Sequence, residues 1–378
     1  QERVGEMEGW GLRFDREPDG SYVLDRAGGH SFHRVMDISD RDGLQMTKVL
    51  RARLLRFGVD RSPDVMATRL LTRDGRVCGA TGVDLGKADV LQVRAPAVVL
   101  ATGGVGQLYP VTSNPVKVTG DGLALAAEAG AELINMEQVQ FYPCGLVHPP
   151  SLHGFILGIQ EYARLYNAVN ERFMARYEPE LLEHTTRDRL ARGIYTEIAE
   201  GRGTEHGGVY LDATDLPEET FRSFRYELEI CAERGFDYRR QRVEIAPSAH
   251  YFMGGLAIDA DAQSTVSGLF AAGEVSGGVQ GGNRLSGNSL SEIMVFGSRA
   301  GVSAARYVRN QDRPSFEDDQ AAAEASRIQG LLERGALEMT AAQGKDRMRQ
   351  VMQTHVGVLR RVGGLETARH TLEEMEKD

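Results

Sequence analysis

Residues 281–290 read Gly-Gly-Asn-Arg-Leu-Ser-Gly-Asn-Ser-Leu and constrain the fold more tightly than any other stretch of this 378-residue chain. Glycine in three of the first seven positions keeps the backbone out of regular structure. It also lets the chain approach a flat ring closely, because no Cβ intervenes. At Asn288 and Ser289 the pattern opens a helix, whose first turn offers unpaired N–H groups and a partial positive charge. Arg284, inside the glycine turn, carries a planar fork that can hold a carboxylate through two parallel bonds. Residues 249–255, Ala-His-Tyr-Phe-Met-Gly-Gly, add His250, a donor near neutral pH. Together the two stretches suit a carboxylate-bearing ligand lying against a flat ring.

The surrounding pattern is α/β with α+β character. Two apolar runs, 97–101 and 269–272, are read as core strands that end directly in Thr102-Gly103-Gly104 and in Gly273-Glu274. Any one glycine turn alone is an ordinary loop. Two of them at strand ends mark a carboxyl edge, where α/β sheets bind ligands. Strands over 65–72 and 76–85 flank Asp74-Gly75, a strong hairpin signal, and 90–94 supplies a third. A loop over 28–33 precedes a helix expected from Asp40, with Leu44, Val49, Leu50 and Leu54 as much of its apolar side. Helices are also expected over 121–128, over 187–200 with Leu190, Ile194 and Ile198 inward, and from Ser289 to about Val308. Thr185 or Thr186 is the expected cap of the second, and Gly201 its end. The last seventy or so residues, rich in Ala, Glu, Arg, Leu and Gln, form a helical tail.

Composition narrows the class. With 41% hydrophobic and 26% charged residues the chain is an ordinary globular protein, large enough for two or three packed units. A net charge of −10 argues against a nucleic-acid partner. No apolar run approaches a bilayer span. Cys78, Cys144 and Cys231 are too far apart to give a disulfide framework or a metal spacing, and a reducing, cytoplasmic setting is the simplest home. The first residues show neither an initiating methionine nor a signal-peptide pattern.

Several motifs occur in order: Ala101-Thr-Gly-Gly104, Thr119-Gly-Asp-Gly122, Met136-Glu-Gln-Val-Gln-Phe141, Thr186-Arg-Asp188, His250-Tyr-x-Met-Gly-Gly255, Gly273-Glu-Val275, the 281–290 run and Phe296-Gly-x-x-Ala-Gly301. With these the chain resembles the flavoprotein subunit of fumarate reductase and succinate dehydrogenase, a family that includes L-aspartate oxidase. The resemblance implies an FAD-binding Rossmann-like domain with an inserted capping domain and a helical C-terminal region. The corresponding divisions are 1–137 and 247–308 for the FAD-binding domain, 138–246 for the capping domain and 309–378 for the tail. The family's opening Gly-x-Gly-x-x-Gly turn is not found, so the chain is expected to be a fragment beginning after the first βαβ unit.

The resemblance also implies roles. Gly103, Gly104, Asp121, Tyr251, Gly273, Glu274, Asn288, Ser289 and Leu290 would contact FAD, with Ser289 and Leu290 at its pyrimidine end. His250 and Arg284 would hold a substrate carboxylate, and Arg187 would exchange the proton at the α carbon. An arginine at a helix start opposes the dipole, so helix stabilisation does not explain Arg187. Glu161 and Arg164 match the family's proton-relay pair in type and spacing, and match a surface ion pair equally well. Two positions depart from the family: Tyr142 stands where a histidine binds the second carboxylate, and Gln160 where a threonine precedes the relay glutamate. Neither adds charge at neutral pH, so the pocket could take an amide, ester, aryl group or larger acid.

The expected activity is therefore that of an FAD-dependent oxidoreductase acting on the CH–CH bond of a carboxylic acid. The rivals are oxidation of an amino-dicarboxylate by oxygen and a non-catalytic role in assembly. An iron-sulfur electron-transfer subunit is the expected partner, with any membrane association peripheral through partner subunits.

Overall fold

Asp74 and Gly75 both take positive φ, 50° and 71°, as a two-residue hairpin turn matched to strand twist requires. The computed structural model describes residues 2–25, 30–38, 42–312, 319–335 and 339–376. Gly28, Gly29 and Asp40, on which two of the sequence readings fall, lie outside them. The strands in chain order are β1 (Val65–Arg73), β2 (Arg76–Asp84), β3 (Val90–Arg94), β4 (Val98–Leu100), β5 (Leu133–Ile134), β6 (Val139–Leu146), β7 (Arg164–Tyr166), β8 (Val209–Asp212), β9 (Val243–Phe252), β10 (Gly255–Ala257), β11 (Leu269–Ala271) and β12 (Ser276–Gly277). The helices are α1 (Glu2–Gly9), α2 (Asp42–Arg56), α3 (Asp121–Glu128), α4 (Met174–Tyr177), α5 (Arg187–Glu197), α6 (Arg225–Glu233), α7 (Asn288–Arg309), α8 (Asp319–Glu333), α9 (Ala341–His355) and α10 (Val362–Met375).

The chain forms two compact units. The first comprises Gln1–Gly104, Gly120–Gln138 and Phe252–Ala336. It holds the meander β1-β2-β3, the sheet β12-β10-β5 and the parallel pair β11-β4, in which Leu269, Phe270 and Ala271 lie opposite Val98, Val99 and Leu100. Helix α7 covers β11 and β4, with Phe270, Ala272 and Ala300 in a common core. The second unit comprises Val105–Thr119, Val139–Tyr251 and Leu337–Asp378. Its sheet runs β6-β9-β8-β7. Leu146, Leu157, Leu165, Ile194, Leu211 and Ile245 are fully buried in its core. The helical C-terminal stretch is divided, α8 falling in the first unit and α9 and α10 in the second.

Two expectations need correction. Leu44, Leu50 and Leu54 of α2 are exposed, and the buried residue is Met46, with half-buried Val49 beside it against Met7, Leu12 and Ile38. At about 100° per residue, Arg53 falls on the same face as Met46, and its guanidinium lies 5.0 Å from the Trp10 ring centre. That register turns the leucines to one side. The run 97–101 is a core strand on one face only, since Leu100 is buried and Val99 exposed. Helix α5 places Leu190 and Ile194 in the core and is followed by a wider turn at Ile198–Arg202, with Gly201 at φ 78°. Thr186 is its cap residue, although its hydroxyl donates to Asp188 (2.6 Å) rather than to the helix backbone.

Candidate functional site

In the first unit the turns after β4 and β11 leave the same edge of a parallel pair. Gly103 (φ 77°) and Gly273 (φ 80°) turn the chain. The Glu274 carboxylate packs directly over Gly104, where a Cβ would overlap its Oε1, and Phe252 N–H donates to that oxygen at 2.9 Å. A Cβ on Gly122 would likewise overlap the Thr102 hydroxyl, so the start of α3, with Asp121 as its first residue, closes on the same turn. Burial pushes the Glu274 carboxyl up to about 7; the Phe252 N–H and the Arg284 charge offset only part of that penalty.

Arg284 is buried, and one of its terminal nitrogens donates to Ser289 Oγ at 3.3 Å in the first turn of α7. Gly287, at φ 76°, starts that helix. A cavity of about 900 Å³ opens in this unit at residues 286–291 and at His30, Arg34 and Ile38. Here the sequence reading missed two residues. Arg34 Nε–H donates to His30 Nδ1 (2.8 Å), so His30 must carry its proton on Nε2, which lies 2.9 Å from the Ser286 carbonyl. This pins the loop at 30–38 to the turn that precedes α7. The adjacency of two histidines and an arginine in His30-Ser-Phe-His-Arg34 was the available signal.

In the second unit three of the named residues meet. The Arg187 guanidinium stands 4.8 Å from the centre of the Tyr142 ring, and Tyr142 meets the His250 ring edge-on at 5.3 Å. His250 is held from behind: Ser113 Oγ lies 2.8 Å from Nδ1, and Asn114 Nδ2 donates to the His250 carbonyl at 2.9 Å. Thr112 Oγ1 donates to the Ala249 carbonyl at 2.8 Å, tying the 112–114 segment along β9. Burial raises the Tyr142 phenol well above its ordinary value, although Arg187 pulls the other way, so Tyr142 is a neutral donor. The buried Arg187 Nε and Gln160 Oε1 have no hydrogen-bond partner. Buried polar atoms left without a partner are costly, and both have the chemistry to bind a polar ligand. Tyr251 is buried on β9 beside His250. Glu161 closes a short 3₁₀ turn, and Arg164 opens β7, where it donates to Asp215 at 3.1 Å on the surface.

A parallel strand pair with a glycine cradle and two helix starts at its carboxyl edge defines a nucleotide-cofactor fold. The arginine, tyrosine and histidine of the second unit are suited to binding an acid and moving a proton. The chain belongs to the FAD binding domain family, whose model matches residues 1–290, and it is of the fumarate reductase and succinate dehydrogenase flavoprotein type. It is 42% identical over 377 residues to one subunit of the CoM/CoB fumarate reductase of Methanothermobacter marburgensis, covering 97% of this chain and 67% of that protein. It is also 42% identical over 311 residues to an L-aspartate oxidase of Caulobacter vibrioides, covering 80% of this chain and 59% of the relative. Among solved structures, FrdA of E. coli quinol fumarate reductase superposes with a TM-score of 0.91 at 31% identity, covering 100% of this chain and 67% of that one. The Sdh1 complex of Mycobacterium smegmatis with UQ1 gives 0.88 at 37% identity, covering 100% and 66%. The chain thus spans about two thirds of the length of most of these relatives. No helix among the described residues is long and apolar enough to cross a membrane.

The cradle fits FAD. Gly103 and Gly273 turn the chain sharply at the two strand ends, and the starts of α3 and α7 offer backbone N–H groups suited to its electron-rich atoms. Glu274, Asp121, Asn288, Ser289 and Leu290 lie at these turns and helix starts.

Proposed function

We propose that this chain carries the reaction of an FAD-dependent oxidoreductase on the CH–CH or C=C bond of a carboxylic acid. Bound FAD supplies the two-electron donor or acceptor for that bond. His250 binds the activating carboxylate and draws charge toward it as the adjacent carbon gains enolate character; Arg284, in the first unit, is a second candidate carboxylate ligand. Arg187 gives or takes the proton at that carbon. The observation that carries the reading is the position of Arg187: stacked on a neutral, buried tyrosine beside a histidine, with Nε buried and lacking any hydrogen-bond partner. A guanidinium is a poor acid in water, and a site that strips its water and orients it against a developing carbanion favours the transfer. Tyr142 and Gln160 add hydrogen bonds but no charge, which suits an acid whose far end is uncharged or larger than a plain four-carbon dicarboxylate. Glu161 is the relay carboxylate of this reading. Arg164 stands less well, because its guanidinium is engaged by Asp215.

The test is Arg187→Lys in the flavin-loaded protein. Flavin absorbance should match the parent, while turnover with a reduced dye and an unsaturated acid falls by about 10² or more, within the range general acids contribute. Undiminished turnover removes Arg187 from the reaction. The L-aspartate oxidase relative supports a second reading, oxidation of an amino-dicarboxylate by oxygen. Peroxide formed from aerobic L-aspartate separates the two. An iron-sulfur subunit is the electron-transfer partner we propose, since the Methanothermobacter relative is by name one component of a larger fumarate reductase. We place the assembly in the cytoplasm, peripheral to any membrane.

A further inference from the structure

Outside this site, the second unit holds a group of metal-ligating side chains that the proposed reaction does not use. His206 Nδ1 lies 2.8 Å from Glu244 Oε1 and 3.9 Å from Glu205 Oε1. One ligand atom from each of the three residues can be chosen so that all lie within 4.8 Å of one another. In a four-coordinate site with metal–ligand bonds of about 2.0 Å, neighbouring ligand atoms stand about 3.3 Å apart. The two observed separations bracket that spacing, and the two carboxylates, within 4.8 Å of each other, would close toward an ion entering between them and the imidazole.

The scaffold is tied down on each side. Thr204 and Gly208 close the turn that carries Glu205 and His206, with Thr204 N–H donating to the Gly208 carbonyl at 2.8 Å and Gly208 N–H to Thr204 Oγ1 at 3.1 Å. Glu244 sits within β9, opposite Tyr210 of β8, and its carbonyl accepts from Val147 N–H at 3.0 Å. The His148 ring stacks on His206 with centres 4.3 Å apart, which fixes the plane of the imidazole. The Glu244 side chain is 13% exposed, with Oε1 toward His206 and the Thr204 side chain hydrogen-bonded to the carboxylate.

We propose that Glu205, His206 and Glu244 bind a divalent transition-metal ion, with zinc the best match to one imidazole and two carboxylates. Imidazole suits zinc, nickel and copper, whereas calcium and magnesium favour all-oxygen shells. The three ligands leave a further position to water. The ion would staple the 204–208 turn to the start of β9, a structural role separate from the flavin chemistry.

Calorimetric titration of the full chain with zinc chloride, after dialysis against a chelator, tests this. The expected result is about one equivalent bound, with affinity reduced roughly tenfold or more in both His206→Ala and Glu244→Gln. Tm should rise with zinc in the parent and not in the variants, as ligand binding to the folded state requires. Should either variant fail to fold, Glu205→Gln, on a side chain 83% exposed, must weaken binding in the same direction. No binding, or binding of equal affinity in parent and variants, overturns the proposal and leaves an adventitious ion only.

Discussion

Glu274 is held where its charge is poorly supported by water. The Glu274 carboxyl, at about 7 in the folded protein, stands above the roughly 4.3 of an unfolded glutamate. The folded state therefore binds this proton more tightly. The group's contribution to stability is complete below about pH 4 and is lost as pH rises through 7, a loss on the order of 3 kcal/mol. For the chain without cofactor, Glu274→Gln should flatten this dependence: from pH 5 to 8 the parent Tm should fall further than that of the variant. Parallel curves would show that Glu274 is charged throughout. At the same scale the Tyr142 ring answers a question the sequence raised. An arginine at a helix start opposes the dipole, and here its guanidinium gains a π face, a reason no spacing rule encodes.

Among the elements, those fixed by local chemistry were legible. The Asp74-Gly75 hairpin, α3 from Asp121 to Glu128 and the buried face of α5 agree with the sequence pattern closely. What failed was the choice of which face of an element turns inward. In α2 the leucines made the larger apolar stripe, yet tertiary contacts selected Met46, with Arg53 covering Trp10. Helix α8 shows another device invisible in sequence. Gln320 pairs its side-chain amide with both backbone groups of Thr72 on β1 (2.7 and 3.2 Å), covering a strand edge. Beside it, the fully buried Glu324 carboxylate binds Arg69 (3.0 Å) and Arg327 (2.7 Å). Glu324→Ala leaves both arginines without their acceptor and should lower stability by about 3 kcal/mol. Denaturant unfolding measures it, and a loss below about 0.5 kcal/mol would show that the pair is only a surface bridge.

For the molecule as a whole, the motifs told more about chemistry than about assembly. The glycine turns at Gly103 and Gly273 were readable because a positive φ at a strand end needs that residue type. Packing between distant segments was not: α9 lies on the segment at 105–119 through Arg349, which donates to the Gln107 carbonyl (3.0 Å) and side chain (2.8 Å). Such contacts, more than two hundred residues apart, leave no local pattern. The central claim is that this fold passes electron pairs to or from an acid at its CH–CH bond. The most direct measurement reduces the flavin-loaded protein chemically without oxygen, then adds fumarate and larger α,β-unsaturated acids while flavin absorbance is followed. Reoxidation by at least one of these acids, slowed by orders of magnitude in Arg187→Lys, is the predicted result. Flavin that stays reduced with every such acid and is reoxidised only by oxygen would contradict the account.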